Sequence, residues 1–371
     1  MKTPTPAAAL LAWYDGVRRD LPWRRVRSPY RTLVSEFMLQ QTVVATVLPY
    51  FDRFLARFPD LRALAAARED DVLALWSGLG YYARARNLHK AAQAVVANHG
   101  GEIPADEAAL ATLPGVGAYT ASAVAAIAFD APTFALDGNG ARVMARLHGV
   151  TEVIDGPAAR ARLRALGQAL VPARRAGDFT QAVMELGALV CSATGPACLA
   201  CPLRATCVAK KKGITAVIPA RKTKAPRPTA RVACAYVTQS GRVLLVRRPK
   251  GQLLASTWAL PSAPVVGAAD ASEVARQAAR QSGVMVGRQR PQFRGQVRHI
   301  FTHRDLTAEV YAVAARTAEA ATSASDSARR WVAADELPTL GISSFTRKTL
   351  AAATARRLKT SGKRDIGADQ T

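Results

Sequence analysis

The chain has 371 residues, 49% of them hydrophobic, and carries 51 lysines and arginines against 27 aspartates and glutamates, a formal net charge of +24. That length allows two or three domains, and the apolar share is enough to bury real cores. No apolar run approaches the roughly 18 residues that span a bilayer, which excludes a helical membrane protein, and so positive a charge points to a polyanion, with nucleic acid ahead of an anionic membrane surface.

From the start, MKTPTPAAALLAWYDGVRRD lacks the basic-then-apolar pattern of a secretory signal. Residues 7–207 read as mostly helical, rich in Ala, Leu, Arg and Glu, with Leu33, Phe37, Gln40, Val44 and Val47 at helical steps. Further helices are predicted over 60–76, 86–98, 106–112, 118–128, 139–147, 158–170 and 179–190. Glu36 lies in one of the most apolar of these segments, Ser35-Glu36-Phe37-Met38-Leu39-Gln40-Gln41-Thr42. A lone glutamate on such a helix ordinarily faces solvent. A partly buried one has a raised pKa and can serve as a general acid near neutral pH.

Leu113-Pro114-Gly115-Val116-Gly117 separates the helices predicted over 106–112 and 118–128. Glycines there leave the backbone N–H groups of Gly115, Val116 and Gly117 open to an anion at a helix start. This helix–hairpin–helix arrangement suits a DNA phosphate held without regard to base sequence; the alternative is an ordinary tight turn. Asp137, in Asp137-Gly138-Asn139-Gly140, reads first as a turn and helix-cap residue. Taken with Glu36 it is also a second carboxylate, and paired carboxylates are what cleavage of a glycosidic bond requires.

Four of five cysteines follow as Cys191-x6-Cys198-x2-Cys201-x5-Cys207. Four thiolates at this spacing suit zinc or an iron–sulfur cluster, whereas disulfides would need an oxidising compartment. The stretch KKKGITAVIPARKTKAPRP is basic, Pro-bearing and aperiodic, and reads as a linker over 209–228. Beyond Arg231 the texture becomes β: two strand-like runs flank Ser240-Gly241, more strands are predicted at 293–301 and 305–315, and helices at 271–282 and 344–357. Cys234 falls on a predicted strand, as a core residue. The tail 358–371 reads as disordered.

Taken together, LPW at 21–23, SEFMLQQT at 35–42, GLGYYARARNLHKAA at 78–92, LPGVGAYTA at 113–121, LDGN at 136–139 and the four cysteines resemble the adenine-specific DNA glycosylases of the MutY type, in the endonuclease III-like helix-hairpin-helix superfamily. The resemblance is strong in the first half of the chain and weaker in the second. It implies a mainly α glycosylase domain over 7–208, a [4Fe-4S] cluster on Cys191, Cys198, Cys201 and Cys207 as cofactor, and an α/β Nudix-like recognition domain over 229–357. It also implies a monomer in the bacterial cytoplasm, associated with the nucleoid and not with a membrane, acting on double-stranded DNA that contains A·8-oxoguanine or A·G mispairs. By the same resemblance Glu36 would protonate adenine, Asp137 would stabilise or trap the sugar cation, and Asn139 would hold Asp137. Gln41 and Tyr81 would enter the base stack, Thr42 would touch the opposite base, and Arg19, Leu21, Trp23, Arg24 and Gln181 would line the pocket for the extruded adenine. The cluster would present basic residues such as Arg204 to a phosphate.

Two positions refine the expectation. Lyase members of the superfamily carry a lysine where this chain has Tyr119, which argues for base removal without efficient strand cleavage. In the second domain, the glutamates that hold Mg²⁺ in Nudix hydrolases would fall on Gln277, Arg280 and Gln281, which cannot hold it, so no pyrophosphohydrolase activity is expected. Phe301-Thr302-His303 matches the family's Phe-Ser-His loop, with Thr302 and His303 expected near the oxidised base. The rival readings are a catalytically silent DNA-binding iron–sulfur module and a glycosylase-lyase for oxidised pyrimidines.

Overall fold

Side-chain caps set where many helices of the first 220 residues begin, each such cap contributing about 1 kcal/mol. Helix α1 (Pro6–Val17) starts where the Thr5 hydroxyl accepts from the Ala8 N–H. After the single turn α2 (Pro22–Arg25), Ser28 opens α3 (Pro29–Leu39) in the same way. Next come α4 (Val44–Arg57), α5 (Leu61–Ala66) capped by Asp60, and α6 (Glu69–Leu75), whose first turn holds Glu69, Asp70 and Asp71 where the helix dipole favours anions. Then follow α7 (Ala83–Asn98), α8 (Glu107–Ala111) capped by Asp106, α9 (Ala118–Phe129), α10 (Gly138–His148) capped by Asp137, α11 (Pro157–Gln168), α12 (Ala176–Leu189) and α13 (Val208–Lys211). The computed structural model describes residues 4–220, 225–315 and 328–355. The chain divides into two units with the boundary at residue 225.

Helix α9 is the axis of the first unit. Every residue from Thr120 to Ala126 is buried, as expected of a helix that is apolar all round, and α3, α8 and α12 pack against it. A Cβ on Gly187 would stand 2.6 Å from Cβ of Asn139, so α12 and α10 also approach closely. Phe134, Leu136, Met144, Phe179, Val183 and Leu186 fill the core on that side. On the other, Phe54 meets Phe58 and Trp76 edge-on at 5.1 and 6.0 Å. Each such side chain contributes about 1.5–3 kcal/mol by leaving water.

The structure departs from the sequence-based expectations in several places. The periodic run from Leu33 to Val47 is not one helix: α3 ends at Leu39 and α4 begins at Val44, with Gln41 at φ 56° between them. The stretch 60–76 forms two helices that part at Ala67 and Arg68. Residues 209–220, read as linker, belong to the first unit. Ala209 and Ile218 are buried in its core, and Ala220 forms a β-bridge with Val153. Their apolar residues were hidden among lysines that face solvent.

The second unit holds two sheets. One has the order β5 (Ser262–Pro264), β1 (Thr229–Tyr236), β7 (Asp305–Ala312), β6 (Gln292–Ile300), with β1 parallel to β7. In the other, β3 (Arg242–Arg247) pairs with β2 (Thr238–Gln239), β4 (Trp258–Ala259) and β8 (Arg329–Val332). Ser240 and Gly241 both take positive φ, 49° and 73°, as a two-residue hairpin of the primed type requires. That hairpin joins β2 to β3; the run from Val232 to Tyr236, expected to be its first strand, lies in the other sheet. Helix α14 (Ala271–Gln281) packs on β1, β5 and β7, and α15 (Ser344–Thr354) on β6, β7 and β1. Cys234 is buried beneath α15. The expected disordered tail lies outside the described residues. No described helix is long and apolar enough to cross a membrane.

Candidate active site

A cavity of about 1060 Å³ opens where α3, α12 and the start of α10 surround the first turn of α9. Its walls include Glu36, Asp137, Tyr119 and Asn139, together with Arg19, Leu21, Trp23, Arg24, Gln41, Thr42 and Gln181. Residues drawn from widely separated segments therefore converge on one space. Tyr81 is not among its lining residues.

Glu36 points inward from α3 and is only 6% exposed. Its Oε2 accepts a 2.8 Å hydrogen bond from the Tyr119 hydroxyl. Burial pushes the Glu36 carboxyl up to about 7, with the Asp137 charge adding to the rise and the Tyr119 hydroxyl and Arg24 opposing it. Burial likewise holds the Tyr119 phenol well above its usual range. The solvent-facing reading of Glu36 is therefore wrong: α3 turns its polar residue onto the cavity because its other faces are packed.

Asp137 is both a cap and a cavity wall. Its Oδ1 accepts from the Gly140 N–H at 2.6 Å. Burial raises its pKa, while the Gly140 and Asn139 N–H groups and the Arg142 charge resist that rise. Asn139 Oδ1 accepts from Arg142 at 2.8 Å, and the same guanidinium donates to the carbonyls of Gly187 and Cys191, both at 2.8 Å.

On the α12 side, sequence reasoning missed Glu185. Its side chain is fully buried, and it accepts from Arg19 through Nε and Nη2, both at 2.7 Å, and from Arg24 Nη2 at 3.0 Å. Burial alone would raise its pKa; the hydrogen bonds from Arg19 and Arg24 outweigh it and lower the pKa to about 2. Arg24 Nε also donates to Gln181 Oε1 at 3.0 Å. Gln181 and Glu185 stand four residues apart and share a helix face, a spacing that was available as a signal. Trp23, 8% exposed, meets Phe51 edge-on at 5.2 Å.

Between α8 and α9, Val116 is buried while Gly115 and Gly117 are exposed. Gly115 has φ 75°, and a Cβ there would stand 2.5 Å from Cβ of Asn87, so only glycine fits without strain. The turn is anchored by the buried side chains of Leu113 and Val116, and the Val116 N–H donates to the Leu113 carbonyl at 3.0 Å, so of the three N–H groups expected to be open to an anion that one is engaged within the turn.

Cys191, Cys198, Cys201 and Cys207 are unpaired thiols that line one small cavity with Arg146, Arg204 and Lys210. No carboxylate or imidazole lines it. Among the described residues no three His, Cys, Asp or Glu side chains form a group able to chelate a single metal ion.

In the second unit, Gln277, Arg280 and Gln281 lie exposed on α14. The turn from β6 to β7 is closed by a 2.8 Å bond from the Phe301 N–H to the Arg304 carbonyl, which leaves Thr302 and His303 exposed at its tip. Phe301 is held beneath by His299 at 4.5 Å and Phe345 at 6.2 Å.

Residues 34–168 match the family described as HhH-GPD superfamily base excision DNA repair protein, and residues 232–352 match the NUDIX domain. The chain is similar to the adenine DNA glycosylase of Mus musculus, 36% identical over 91% of this chain and 76% of the relative. It is also similar to that of Homo sapiens, 34% identical over 92% and 72%. Among solved structures it resembles a thermostable thymine-DNA glycosylase, with a TM-score of 0.50 and 28% identity over 56% of this chain and 95% of that one.

Proposed function

The chain belongs to the adenine DNA glycosylase family, enzymes of base excision repair that hydrolyse an N-glycosyl bond of DNA, and on that premise we propose that it removes adenine mispaired with 8-oxoguanine or guanine, with Glu36 and Asp137 as its catalytic pair. The observation that carries this reading is that both carboxyls face one cavity with unlike partners. Glu36, with a single hydroxyl donor and a pKa of about 7, still holds a proton near neutral pH and donates it to the leaving base. Asp137 is surrounded by N–H donors and a nearby guanidinium, which favour the anion needed to stabilise or trap an oxocarbenium-like sugar. Asn139, bonded to Arg142, keeps that carboxylate in place.

The remaining assignments follow the chemistry of the walls. Trp23 and Leu21 supply flat apolar surface for a purine, and Arg19, Arg24 and Gln181 supply donors and an acceptor around it, organised by Glu185. Exposed Gln41 and Tyr81 fill the stack that the flipped adenine leaves, and Thr42 contacts the opposite base. The N–H groups of Gly115 and Gly117 hold a phosphate, with Val116 anchoring the turn between them. Because position 119 offers a phenol and not an amine, the reaction stops at base removal. Thr302 and His303 touch the oxidised guanine, and the second unit recognises without hydrolysing nucleoside triphosphates. The protein works as a monomer.

The all-thiol donor set at Cys191, Cys198, Cys201 and Cys207, with no competing ligand, fits a [4Fe-4S] cluster. Such a cluster, when bound, crosslinks the segment from the end of α12 to the start of α13. These residues act structurally and take no part in the chemistry at Glu36.

A single-turnover assay on duplexes holding one A·8-oxoguanine, A·G, A·C or A·T pair tests the proposal. Abasic product from the first two, with little from the others and little borohydride-trapped adduct, is the expected result. No abasic product from any duplex would return the chain to a silent DNA-binding module.

A further inference from the structure

Two exposed tips of the first unit are built in a backbone conformation that their residues seldom adopt. Gln41 has φ 56° and Tyr81 has φ 48°, and neither is glycine. Such conformations persist only where the surroundings over-determine them. Gln41 is exposed and Tyr81 is 43% exposed, so the constraint has to come from beneath.

Beneath both lies Arg84, only 7% exposed. Its Nη1 donates to the carbonyls of Phe37 at 3.0 Å, Met38 at 2.7 Å and Gln40. Its Nη2 donates to the Thr42 hydroxyl at 3.0 Å and to the carbonyls of Leu79 and Gly80, both at 3.2 Å. The guanidinium carbon also lies 5.3 Å from the Tyr81 ring centroid and 5.5 Å from that of Trp76. One planar fork thus ties the end of α3 and the 40–42 loop to the 79–81 loop. All six acceptors are neutral, so the group serves as a multi-donor clamp and not as half of an ion pair.

We propose that Arg84 is a positioning residue of base extrusion: it locks the Gln41 loop to the Tyr81 loop so that the two side chains enter the DNA stack as one preformed wedge. This rests on the reading of Gln41 and Tyr81 as stack-filling residues. Arg84 touches neither substrate nor the catalytic carboxyls. Its effect runs through the opening of the base pair. The two Nη nitrogens bring four N–H bonds, shared among the six acceptors, from two points of one plane; lysine brings three from a single point and cannot reproduce that fork.

Single-turnover rates of wild type, Arg84→Lys and Arg84→Gln are measured on two duplexes. In one, adenine faces 8-oxoguanine; in the other it faces an abasic-site analogue, where no pair has to be opened. A misplaced wedge should slow Arg84→Lys about 100-fold on the first duplex and no more than a few-fold on the second. The double variant Tyr81→Ala/Arg84→Lys should be no slower than Tyr81→Ala alone, since both act on one step. Should Arg84→Gln fail to fold, the Arg84→Lys ratio and the double variant still decide. Equal losses on both duplexes, additive losses in the double variant, or no loss at all would overturn the inference. An inactive wild type on both duplexes would instead overturn the glycosylase reading itself.

Discussion

The Tyr119 hydroxyl donates to Glu36 Oε2 at 2.8 Å across 83 positions of sequence, and this bond opposes the burial that makes the carboxyl hold its proton. Burial lifts Glu36 to about 7, and Tyr119 restrains the rise. The proposed step needs Glu36 protonated and Asp137 ionised, so the single-turnover rate should fall about tenfold per unit above about 7 and fall again in acid as Asp137, raised by burial, takes up a proton. Tyr119→Phe removes a donor that favours the Glu36 carboxylate, so the pKa rises further and the alkaline limb moves to higher pH. A pH–rate profile of both proteins checks this; a limb moved to lower pH would contradict it.

Asp137→Asn should lower turnover by about a thousandfold or more while DNA affinity is kept. Asn caps a helix about as well as Asp, so thermal stability should scarcely change, whereas Asp137→Ala should lose about 1 kcal/mol as well. Single-turnover rates and melting curves for the two variants separate the chemical role of the carboxylate from its capping role.

Glu185→Gln leaves the largely buried Arg24 and the more exposed Arg19 without their counter-charge, at a cost of about 1–3 kcal/mol once solvent screening of Arg19 is allowed for. The sign with pH is fixed by the shift. Glu185 is lowered from 4.5 to about 2, so its stabilisation is fully present above about 4.5 and is lost as pH falls through about 2. Denaturation of both proteins between pH 2 and pH 7 should show the gap closing toward acid; a gap independent of pH would refute the ionic role.

Gly115→Ala forces a side chain into a left-handed backbone and against Asn87, which should cost about 1–2 kcal/mol. If the turn holds a phosphate as proposed, DNA affinity should drop for all sequences alike. Binding titrations on matched and mismatched duplexes check this, and a loss confined to mismatched DNA would argue against a phosphate contact.

Cys207→Ser, or iron chelation, should weaken DNA binding and the packing of residues 191–220 before it touches the chemical rate at saturating enzyme. Affinity and single-turnover rate measured side by side decide this; full affinity with cluster-free protein would show the crosslinking role to be wrong.

Much of the helical half was legible because caps and periodicity are local. Asp60, Asp106 and Asp137 announce helix starts by their own chemistry, and the hairpin at Ser240-Gly241 announces itself by composition. Glu36 required a judgement about burial that its helix alone does not supply. Glu185 was missed because its partners Arg19 and Arg24 lie 166 and 161 residues away, and only packing joins them. Arg84 stands in the run GLGYYARARNLHKAA without a role of its own, because its acceptors between Phe37 and Thr42 are brought to it only by packing. The break at residues 40–43 interrupts an apolar pattern that reads as continuous, since the positive φ of Gln41 is imposed by tertiary contacts and not by residue type.

The basic stretch after the cysteines returns to the first unit before it leaves. Ile218 is buried, and its carbonyl accepts from Arg146 Nε at 2.8 Å. The same arginine grips the Cys191 and Ser192 carbonyls. A protease that cut after Val208 would therefore not release a finished glycosylase from a tether. It would peel away a strap, uncover an apolar groove and leave Arg146 with a vacant donor beside the cysteines. The natural place to divide the polypeptide lies beyond Ala220, and fragments ending short of it should aggregate.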